Sequence, residues 1–364
     1  MLRGPVPSLI PLTANRVWRT YQGGKSLDLL QGSTEPCDSH FPEDWIASTT
    51  RATNKGREDH VEEGLSRVCI DGKSVLLRDL FEQYPQALLG EAHYRSYDAQ
   101  SGFLVKFLDS AIRLPLQCHP TIPFAQKYLN ANAGKTEAYV ILHTREDVAE
   151  PYIYMGFQRP PDPQQFREAI VRQDLNEMLS WFDRIRVQPG DVFLVPGGMP
   201  HAIGEGILMI EIMEPTDFAV RIEFTCGKYV LPEQSRFMGR DVDFAALMFD
   251  FTATPEMEIR RRLFSSQDVV AEYANGRERS LIDERQTRCF SVRRLEIEGE
   301  VVRPADGPCI AIVSKGSGSF GADQMEDRGV RFGDRFFVPA QTKELRFNSK
   351  ATMEVVLAYP PKPI

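Results

Sequence analysis

A ten-residue repeat constrains the fold of this chain more than any other feature. Val187–Pro196 reads VQPGDVFLVP, and 143 residues later Val330–Pro339 reads VRFGDRFFVP. In both copies the Gly-Asp pair predicts a tight turn, and the alternating apolar residues that follow predict a strand with one buried face. The closing proline predicts the end of that strand at a rim. The repeat therefore indicates two copies of one structural unit.

Strand signals also dominate the rest of the chain. Short runs rich in Val, Ile and Phe are separated by Gly-Asp, Pro-Gly and Asn-Gly, a pattern typical of antiparallel sandwiches and barrels. The clearest runs are Ala138–Leu142, Asp191–Val195, Leu208–Ile212, Cys309–Val313 and Met353–Leu357. The repeated strand-turn-strand pattern resembles the cupin, a small double-sheet jelly roll that often holds a metal in its mouth. We therefore predict a mainly β protein with two cupin-like jelly-roll barrels and a small helical insertion.

The predicted domain boundaries follow the repeat and the helix signals. The first barrel spans residues 1–230 and is interrupted by helix at about 163–186, where Asp162 is a predicted N-cap and Pro163 the first helical residue. A connecting segment with some helix spans 231–284, and the second barrel spans 285–364. Another helix is predicted over 75–84, ending before Pro85.

The repeat also predicts which barrel is active. Five residues after the first copy comes His201, whereas five residues after the second copy comes Glu344. No histidine follows residue 201. We therefore expect the metal site in the first barrel and a second barrel without metal.

Composition excludes several function classes. The net charge of −8 has no long basic run, which argues against nucleic-acid binding. No apolar stretch approaches the length of a membrane span, and Met1–Pro5 does not begin a secretory signal. The six cysteines are scattered without C-x-x-C pairs, so we expect reduced thiols. These features predict a cytoplasmic protein with no nucleic-acid or membrane partner, and they carry no signal for an oligomeric state.

Metal-ligating residue types occur in three segments of the first barrel. Gln117 and His119 are two residues apart, Glu137 precedes an apolar strand, and His201 follows the repeat. On a strand, residues two apart share a face, and the same spacing places Lys135 beside Glu137. The amide oxygen, two imidazoles and carboxylate form a mixed N/O set that suits zinc with an open position.

These segments resemble, in order and spacing, the type I phosphomannose isomerases (mannose-6-phosphate isomerases). The matching motifs are Gln117–Pro120, Gly134–Ala138, Val195–Pro196 with His201–Gly204, and Glu211 followed by Asp217 and Arg221. The resemblance is specific over about 75–225 and looser in the C-terminal barrel. It implies one Zn²⁺ per chain, and in the family pattern the ligands are Gln117, His119, Glu137 and His201. It also implies that Lys135, Glu211 and Arg221 face the sugar as catalytic residues.

The chemistry of aldose-ketose isomerisation is compatible with those roles. A proton moves between two carbons through an enediolate, so the site needs a proton carrier and a group that stabilises negative oxygen. Glu211 is a candidate carrier if burial raises its pKa, with a zinc-bound water or a histidine as alternatives. Arg221 or zinc can stabilise the charge. Lys135 can bind a hydroxyl or phosphate, although Glu211 and Arg221 can also form a purely structural ion pair.

We therefore expect a zinc-dependent isomerase that interconverts mannose 6-phosphate and fructose 6-phosphate, or a relative acting on another sugar. Pro115 stands where the family has a phosphate-binding serine, which predicts weaker use of the phosphorylated sugar. Lys106 or Lys135 could compensate for that loss. The alternative is a non-catalytic sugar-binding bicupin. A cupin oxygenase is disfavoured because its iron site would use more histidines and no carboxamide such as Gln117.

Overall fold

A computed structural model describes residues 5–363 of the chain. Residues 1–4 and 364 lie outside it, so most of the N-terminal segment used to argue against a secretory signal also lies outside the described residues. Strands make up most of the regular structure, which confirms the predicted mainly β class. Within residues 5–363 there is no helix long and apolar enough to cross a membrane.

Short elements form the first hundred residues. They are β1 (Ile10–Pro11), β2 (Arg16–Val17), α1 (Lys25–Leu30), β3 (Glu43–Ile46), β4 (Arg67–Ile70), β5 (Lys73–Leu76), α2 (Leu77–Gln83), α3 (Pro85–Leu88) and α4 (Glu91–Tyr97). The helix predicted over 75–84 begins later, because Lys73–Leu76 pairs with β4 as a strand. Pro85 ends α2 as predicted but also begins α3, since proline suits the first helical position.

The next region supplies most of the first structural unit. Its elements are β6 (Leu104–Ser110), β7 (Gln117–Cys118), α5 (Ile122–Tyr128), β8 (Glu137–Thr144), β9 (Tyr152–Met155), α6 (Pro163–Arg172), α7 (Leu175–Ser180), β10 (Ile185–Arg186), β11 (Val192–Val195), β12 (His201–Ile203) and β13 (Ile207–Met213). One sheet has the order β11-β8-β13-β6-β3-β2, and a second contains β10-β9-β12-β7. Apolar side chains of both sheets, including Tyr139, Phe193 and Met155, pack in one core between them.

The predicted helical insertion is present as α6 and α7. Asp162 caps α6 by accepting hydrogen bonds from the Gln164 and Gln165 backbone N–H groups, and the Gln165 side chain accepts from the Asp162 N–H. This reciprocal capping box fixes the start of the helix at the predicted proline. Gln173 adopts a left-handed conformation and ends α6.

The remaining elements continue to the C-terminus. They are β14 (Val220–Arg221), β15 (Thr225–Cys226), β16 (Tyr229–Val230), a kinked 3₁₀ segment (Glu233–Gly239), α8 (Val242–Ala246), α9 (Glu256–Leu263), β17 (Val269–Tyr273), β18 (Gly276–Ile282), β19 (Ser291–Ile297), β20 (Glu300–Pro304), β21 (Cys309–Lys315), β22 (Ser317–Ala322), β23 (Arg328–Arg331), β24 (Arg335–Val338), β25 (Glu344–Asn348) and β26 (Met353–Tyr359). β14 extends the second sheet of the first unit beside β7. The predicted connecting segment, 231–284, therefore contains a 3₁₀ segment, two helices and the hairpin β17–β18.

The C-terminal sheets repeat the connectivity of the first unit. Their orders are β24-β21-β26-β19-β18-β17, with β1 added beside β24, and β23-β22-β25-β20. The strand order therefore matches that of the first unit strand for strand. Gly190 and Gly333 at the repeated turns have φ values of 94° and 91°. The following Asp191 and Asp334 each accept a hydrogen bond from the backbone N–H three residues earlier.

The two units pack against each other through their larger sheets. A continuous apolar core contains Val140 and Ile210 from the first unit together with Ile312, Phe337 and Val356 from the second. Because the core is shared, the second unit buries the outer face of the sheet that carries Glu137 and Glu211.

Candidate metal centre

Three metal-ligating side chains meet in the first unit. His119, Glu137 and His201 come from the end of β7, the start of β8 and the start of β12, and all three are buried. One ligand atom from each lies within 4.8 Å of the others. Strand pairing holds the arrangement, since Val195 pairs with Glu137 and His201 pairs with Gln117.

The loop before His201 packs tightly against the loop after His119. The Gly198 N–H donates to the His119 carbonyl at 2.7 Å. A Cβ on Gly197 would lie 2.6 Å from the Pro120 carbonyl oxygen, so only glycine permits this approach. Glu214 accepts from the Gly134 and Thr136 N–H groups and fixes the segment that enters β8.

Hydrogen bonds orient both imidazoles toward the centre of the cluster. Nδ1 of His119 donates to the Phe218 carbonyl at 2.8 Å, and Nδ1 of His201 donates to the Met199 carbonyl at 2.9 Å. The Nε2 lone pairs therefore face Glu137. Burial lowers the pKa of His119 to about 3 and also lowers the pKa of His201, which keeps both rings neutral. Neutral imidazole is the form that binds metals.

The Lys135 side chain reaches into this cluster. Its Nζ lies 3.0 Å from Glu137 Oε1 and 3.2 Å from His119 Nε2. Burial alone would raise the pKa of Glu137, but the adjacent Lys135 holds it well below its usual value. The Glu137 carboxylate and a His119 ring nitrogen therefore converge on one positively charged group. The same two groups could bind a metal ion.

Gln117 lies beside the cluster. Its Nε2 is 3.3 Å from Nε2 of His201, and the side chain is buried. Rotation of the carboxamide by 180° would turn its oxygen toward the same point. All four residues predicted as ligands are therefore brought together.

Glu211 points into the same region from β13. Its carboxylate lies 3.1 Å from Lys106 Nζ, so it pairs with Lys106 and not with Arg221. The structural Glu211–Arg221 ion pair considered from the sequence is absent among the described residues. Burial raises the pKa of Glu211 to about 8, against the opposing effect of Lys106. A carboxyl group with this pKa exchanges protons near neutral pH.

Arg221 connects two cavities. The inner cavity, about 30 Å³, is lined by Gln117, Lys135, Glu137, Glu211 and Arg221 among others. The outer cavity, about 320 Å³, is also lined by Arg221, and its other polar and aromatic walls include Trp18, Asn54, Lys55 and Tyr229. Within residues 5–363 no carboxylate lies within ion-pair distance of the Arg221 guanidinium, and burial lowers its pKa.

The residues that the sequence linked to phosphate binding do not face the cavities as free groups. Pro115 lines neither cavity. Lys106 and Lys135, named as substitutes for the missing serine, are both buried in ion pairs with carboxylates. Lys55 is an exposed lysine on the wall of the outer cavity.

Several site residues escaped sequence reasoning. The Tyr139 hydroxyl donates to Glu137 Oε2 at 2.6 Å. Arg19, Tyr21 and Glu43 line the inner cavity from the N-terminal segment. Tyr139 had a usable signal because it lies two residues after Glu137 on a strand. The others had none, since their position depends on β3 pairing with β6.

A third and larger cavity, about 440 Å³, lies between the two units and is lined by Val140, Pro189, Arg294 and Phe332 among others. It contains none of the metal-ligating residues. Cavity volume therefore does not identify the candidate site, whereas the geometry of the candidate metal ligands does.

Several known proteins with similar sequence or fold are named as mannose-6-phosphate isomerases. The Bacillus subtilis mannose-6-phosphate isomerase ManA is 30% identical over 42% of this chain and 47% of its own length. The B. subtilis protein GmuF, named a probable mannose-6-phosphate isomerase, is 26% identical over 71% of this chain and 74% of its own length. The crystal structure of the mannose 6-phosphate isomerase from B. subtilis matches with a TM-score of 0.72 at 20% identity, covering 97% of this chain and 99% of that chain. No protein-family model matches. The resemblance indicated by the sequence motifs is confirmed.

Proposed function

We propose that this chain, a relative of the type I phosphomannose isomerases, is a metal-dependent aldose-ketose isomerase that interconverts mannose 6-phosphate and fructose 6-phosphate. The observation that carries this proposal is the buried cluster of His119, Glu137 and His201. Glu211, a protonatable carboxyl, and Arg221, which forms no ion pair among residues 5–363, lie on the same cavity wall as Glu137. The names of the relatives support the substrate.

One Zn²⁺ per chain is the proposed metal. The cluster would supply two imidazole nitrogens and a carboxylate oxygen, and Gln117 would supply an amide oxygen. Zinc accepts this mixed donor set, and catalytic zinc sites keep a position open for water or substrate. When bound, the ion would polarise the substrate oxygens and stabilise negative charge on them.

The protein side chains divide the remaining work. Glu211 carries the proton between the two reacting carbons, because a carboxyl group with a pKa of about 8 can both accept and return it near neutral pH. Arg221 holds the developing enediolate oxygen with a guanidinium that has no carboxylate within ion-pair distance among residues 5–363. Lys135 orients a sugar hydroxyl beside Glu137.

The cavities suggest how the sugar lies. The inner cavity has room for a small group only, whereas the outer cavity can contain the rest of the sugar chain. Arg221 borders both, so the reacting oxygens would lie on its inner side and the phosphate end near Lys55.

The proposal extends to the two-unit architecture. The matched strand order of the two units supports two cupin-like jelly rolls, with the metal in the first only. At the positions equivalent to Gln117, Glu137 and His201 the second unit has Pro304, Cys309 and Glu344. The domain boundaries, the cytoplasmic location and the absence of nucleic-acid and membrane partners stay predictions.

A coupled assay and metal analysis test the function together. Purified protein should convert mannose 6-phosphate to fructose 6-phosphate, lose activity on chelation and regain it with about one Zn²⁺ per chain. Free mannose and glucose 6-phosphate are the control substrates. A metal-loaded protein that binds mannose 6-phosphate without converting it would instead be the non-catalytic sugar-binding bicupin.

A further inference from the structure

Glu43 is a buried carboxylate on the wall of the inner cavity that binds several donors. It accepts from the Tyr21 hydroxyl at 2.6 Å, the Trp45 indole N–H at 2.7 Å and Arg19 Nε at 2.9 Å. Lys106 Nζ lies 3.3 Å away. Two cations and two neutral donors therefore converge on one side chain.

Each cation bound by Glu43 also holds a second acid. Lys106 lies 3.1 Å from Glu211, and Arg19 makes two bonds to Asp217 at 3.0 and 3.1 Å. Acidic and basic side chains therefore alternate from Asp217 through Arg19, Glu43 and Lys106 to Glu211. Without a carboxylate between them, the buried Arg19 and Lys106 would repel each other.

We propose that Glu43 is a positioning residue for the isomerase reaction, because it fixes Lys106 against Glu211 and Arg19 against Asp217 on the wall of the inner cavity. This inference rests on the proposed function for its kinetic consequences. Glu43 itself acts through its neighbours: it sets the direction from which Glu211 approaches the substrate and the position of Asp217 on the cavity wall that also contains Arg221.

The second unit contains the same arrangement without the metal ligands. Glu43 pairs in register with Leu108, and Glu278 pairs with the equivalent Leu295. Glu278 is likewise buried and accepts from a tyrosine, Tyr273, at 3.1 Å and from a cation, Arg293, at 3.0 Å. Arg293 occupies the position of Lys106, but Leu357 stands where the first unit has Glu211. Glu278 therefore offers a matched control for a buried carboxylate that has no proton carrier to position.

The test compares Glu43→Gln with Glu278→Gln. Both substitutions keep the side-chain shape and remove one buried charge. For Glu43→Gln we expect kcat with mannose 6-phosphate to fall about ten- to a hundredfold, with KM changed less than about threefold and metal content unchanged. Glu278→Gln should keep kcat within about twofold even if its melting temperature falls equally. Wild-type kcat in Glu43→Gln, or equal kcat losses in both variants, would overturn the proposal.

A second pair covers the case in which Glu43→Gln does not fold. Tyr21→Phe removes one donor from Glu43 without changing any charge, and Tyr273→Phe is its counterpart in the second unit. We expect kcat to fall severalfold in Tyr21→Phe and to stay unchanged in Tyr273→Phe. Equal changes in kcat in Tyr21→Phe and Tyr273→Phe would contradict a positioning role for Glu43.

Crystal structures separate this proposal from the proposed function. If the wild-type protein does not isomerise mannose 6-phosphate, the proposed function fails. The positioning role is then judged by whether Lys106 moves beyond roughly 4 Å, the usual ion-pair limit, from Glu211 in Glu43→Gln or, if that variant does not fold, in Tyr21→Phe. An unmoved Lys106 overturns it independently of activity.

Discussion

Tyr139 contacts the proposed metal centre through Glu137. Its hydroxyl donates to the carboxylate oxygen Oε2 at 2.6 Å, which fixes the carboxylate plane and leaves Oε1 toward His119. Residues that orient a metal ligand in this way contribute about ten- to a hundredfold to metal affinity. Tyr139→Phe should therefore weaken zinc binding by that factor in a competition titration with a chromophoric chelator.

Tyr154→Phe is the control for that prediction. Tyr154 is a buried tyrosine of β9 whose hydroxyl accepts a hydrogen bond from Arg184 at 3.4 Å. Removal of the Tyr154 hydroxyl should leave the affinity for zinc unchanged. If both phenylalanine variants weaken zinc binding equally, the effect is one of packing and not of carboxylate orientation.

Arg221 should matter in the transition state more than in the ground state. Its guanidinium has no carboxylate partner in the described part of the chain and faces the cavity that holds Glu211. Arg221→Ala should lower kcat on the order of a hundredfold or more while metal content stays constant. Steady-state kinetics and metal analysis check this. An unchanged kcat with a raised KM would assign Arg221 to ground-state binding.

Each proposed ligand alone carried little information, and only the joint occurrence of Gln117, His119, Glu137 and His201 on three segments of one barrel indicated a metal site. The family motifs then implied that these four form one ligand set, and the structure brings their side chains together. Their electrostatic setting was not predictable, since Glu211 could pair with either Arg221 or Lys106. That choice depends on the register of β13 against β6, which places Lys106 directly opposite Glu211.

At the scale of elements, the loop after β3 supplies the one exposed lysine on the wall of the outer cavity. Lys55 makes no ion pair within residues 5–363 and is free to meet an anion. A hydrogen bond to a charged group contributes about 1.5 to 3 kcal/mol, and exposure reduces this. Lys55→Gln should therefore raise KM for mannose 6-phosphate about tenfold, with kcat within twofold, in the coupled assay.

Lys73→Gln, in β5, provides the matched charge change away from the cavities. It should leave KM unchanged. If Lys55→Gln also leaves KM unchanged, the phosphate is held by other groups. If both variants raise KM equally, the effect is one of overall charge, and it should then disappear at high ionic strength.

Elements with strong local signals matched their predicted positions. The repeated turns formed β11 and β24, and Asp162 and Pro163 began α6 as expected. Elements that depend on strand partners far away in the sequence did not match their predicted positions. Val269–Ile282 lies within a predicted connecting segment but forms a hairpin, because β18 finds its partner in β19 beyond it. β1 has only two residues and exists because the N-terminal segment reaches β24.

At the scale of the whole molecule, the two units share their core. Val140 and Ile210 pack with Ile312 and Val356 in one apolar cluster, and β1 ties the N-terminal segment to the second unit. Separating the units would expose side chains whose burial contributes about 1.5 to 3 kcal/mol each. We therefore expect a single cooperative unfolding transition and not two independent ones.

The distribution of tryptophans makes this testable. All three, Trp18, Trp45 and Trp181, lie before residue 187, so tryptophan fluorescence reports on the N-terminal part while far-ultraviolet circular dichroism reports on the whole chain. The two probes should give coincident urea midpoints in the presence of a chelator. Added Zn²⁺ binds only the first unit in our proposal, and a ligand that binds the folded state stabilises everything that unfolds with it. Both midpoints should therefore rise together when zinc is added. A fluorescence transition that moves alone would mean that the second unit unfolds independently, and that the shared core is too weak to couple it to the metal centre.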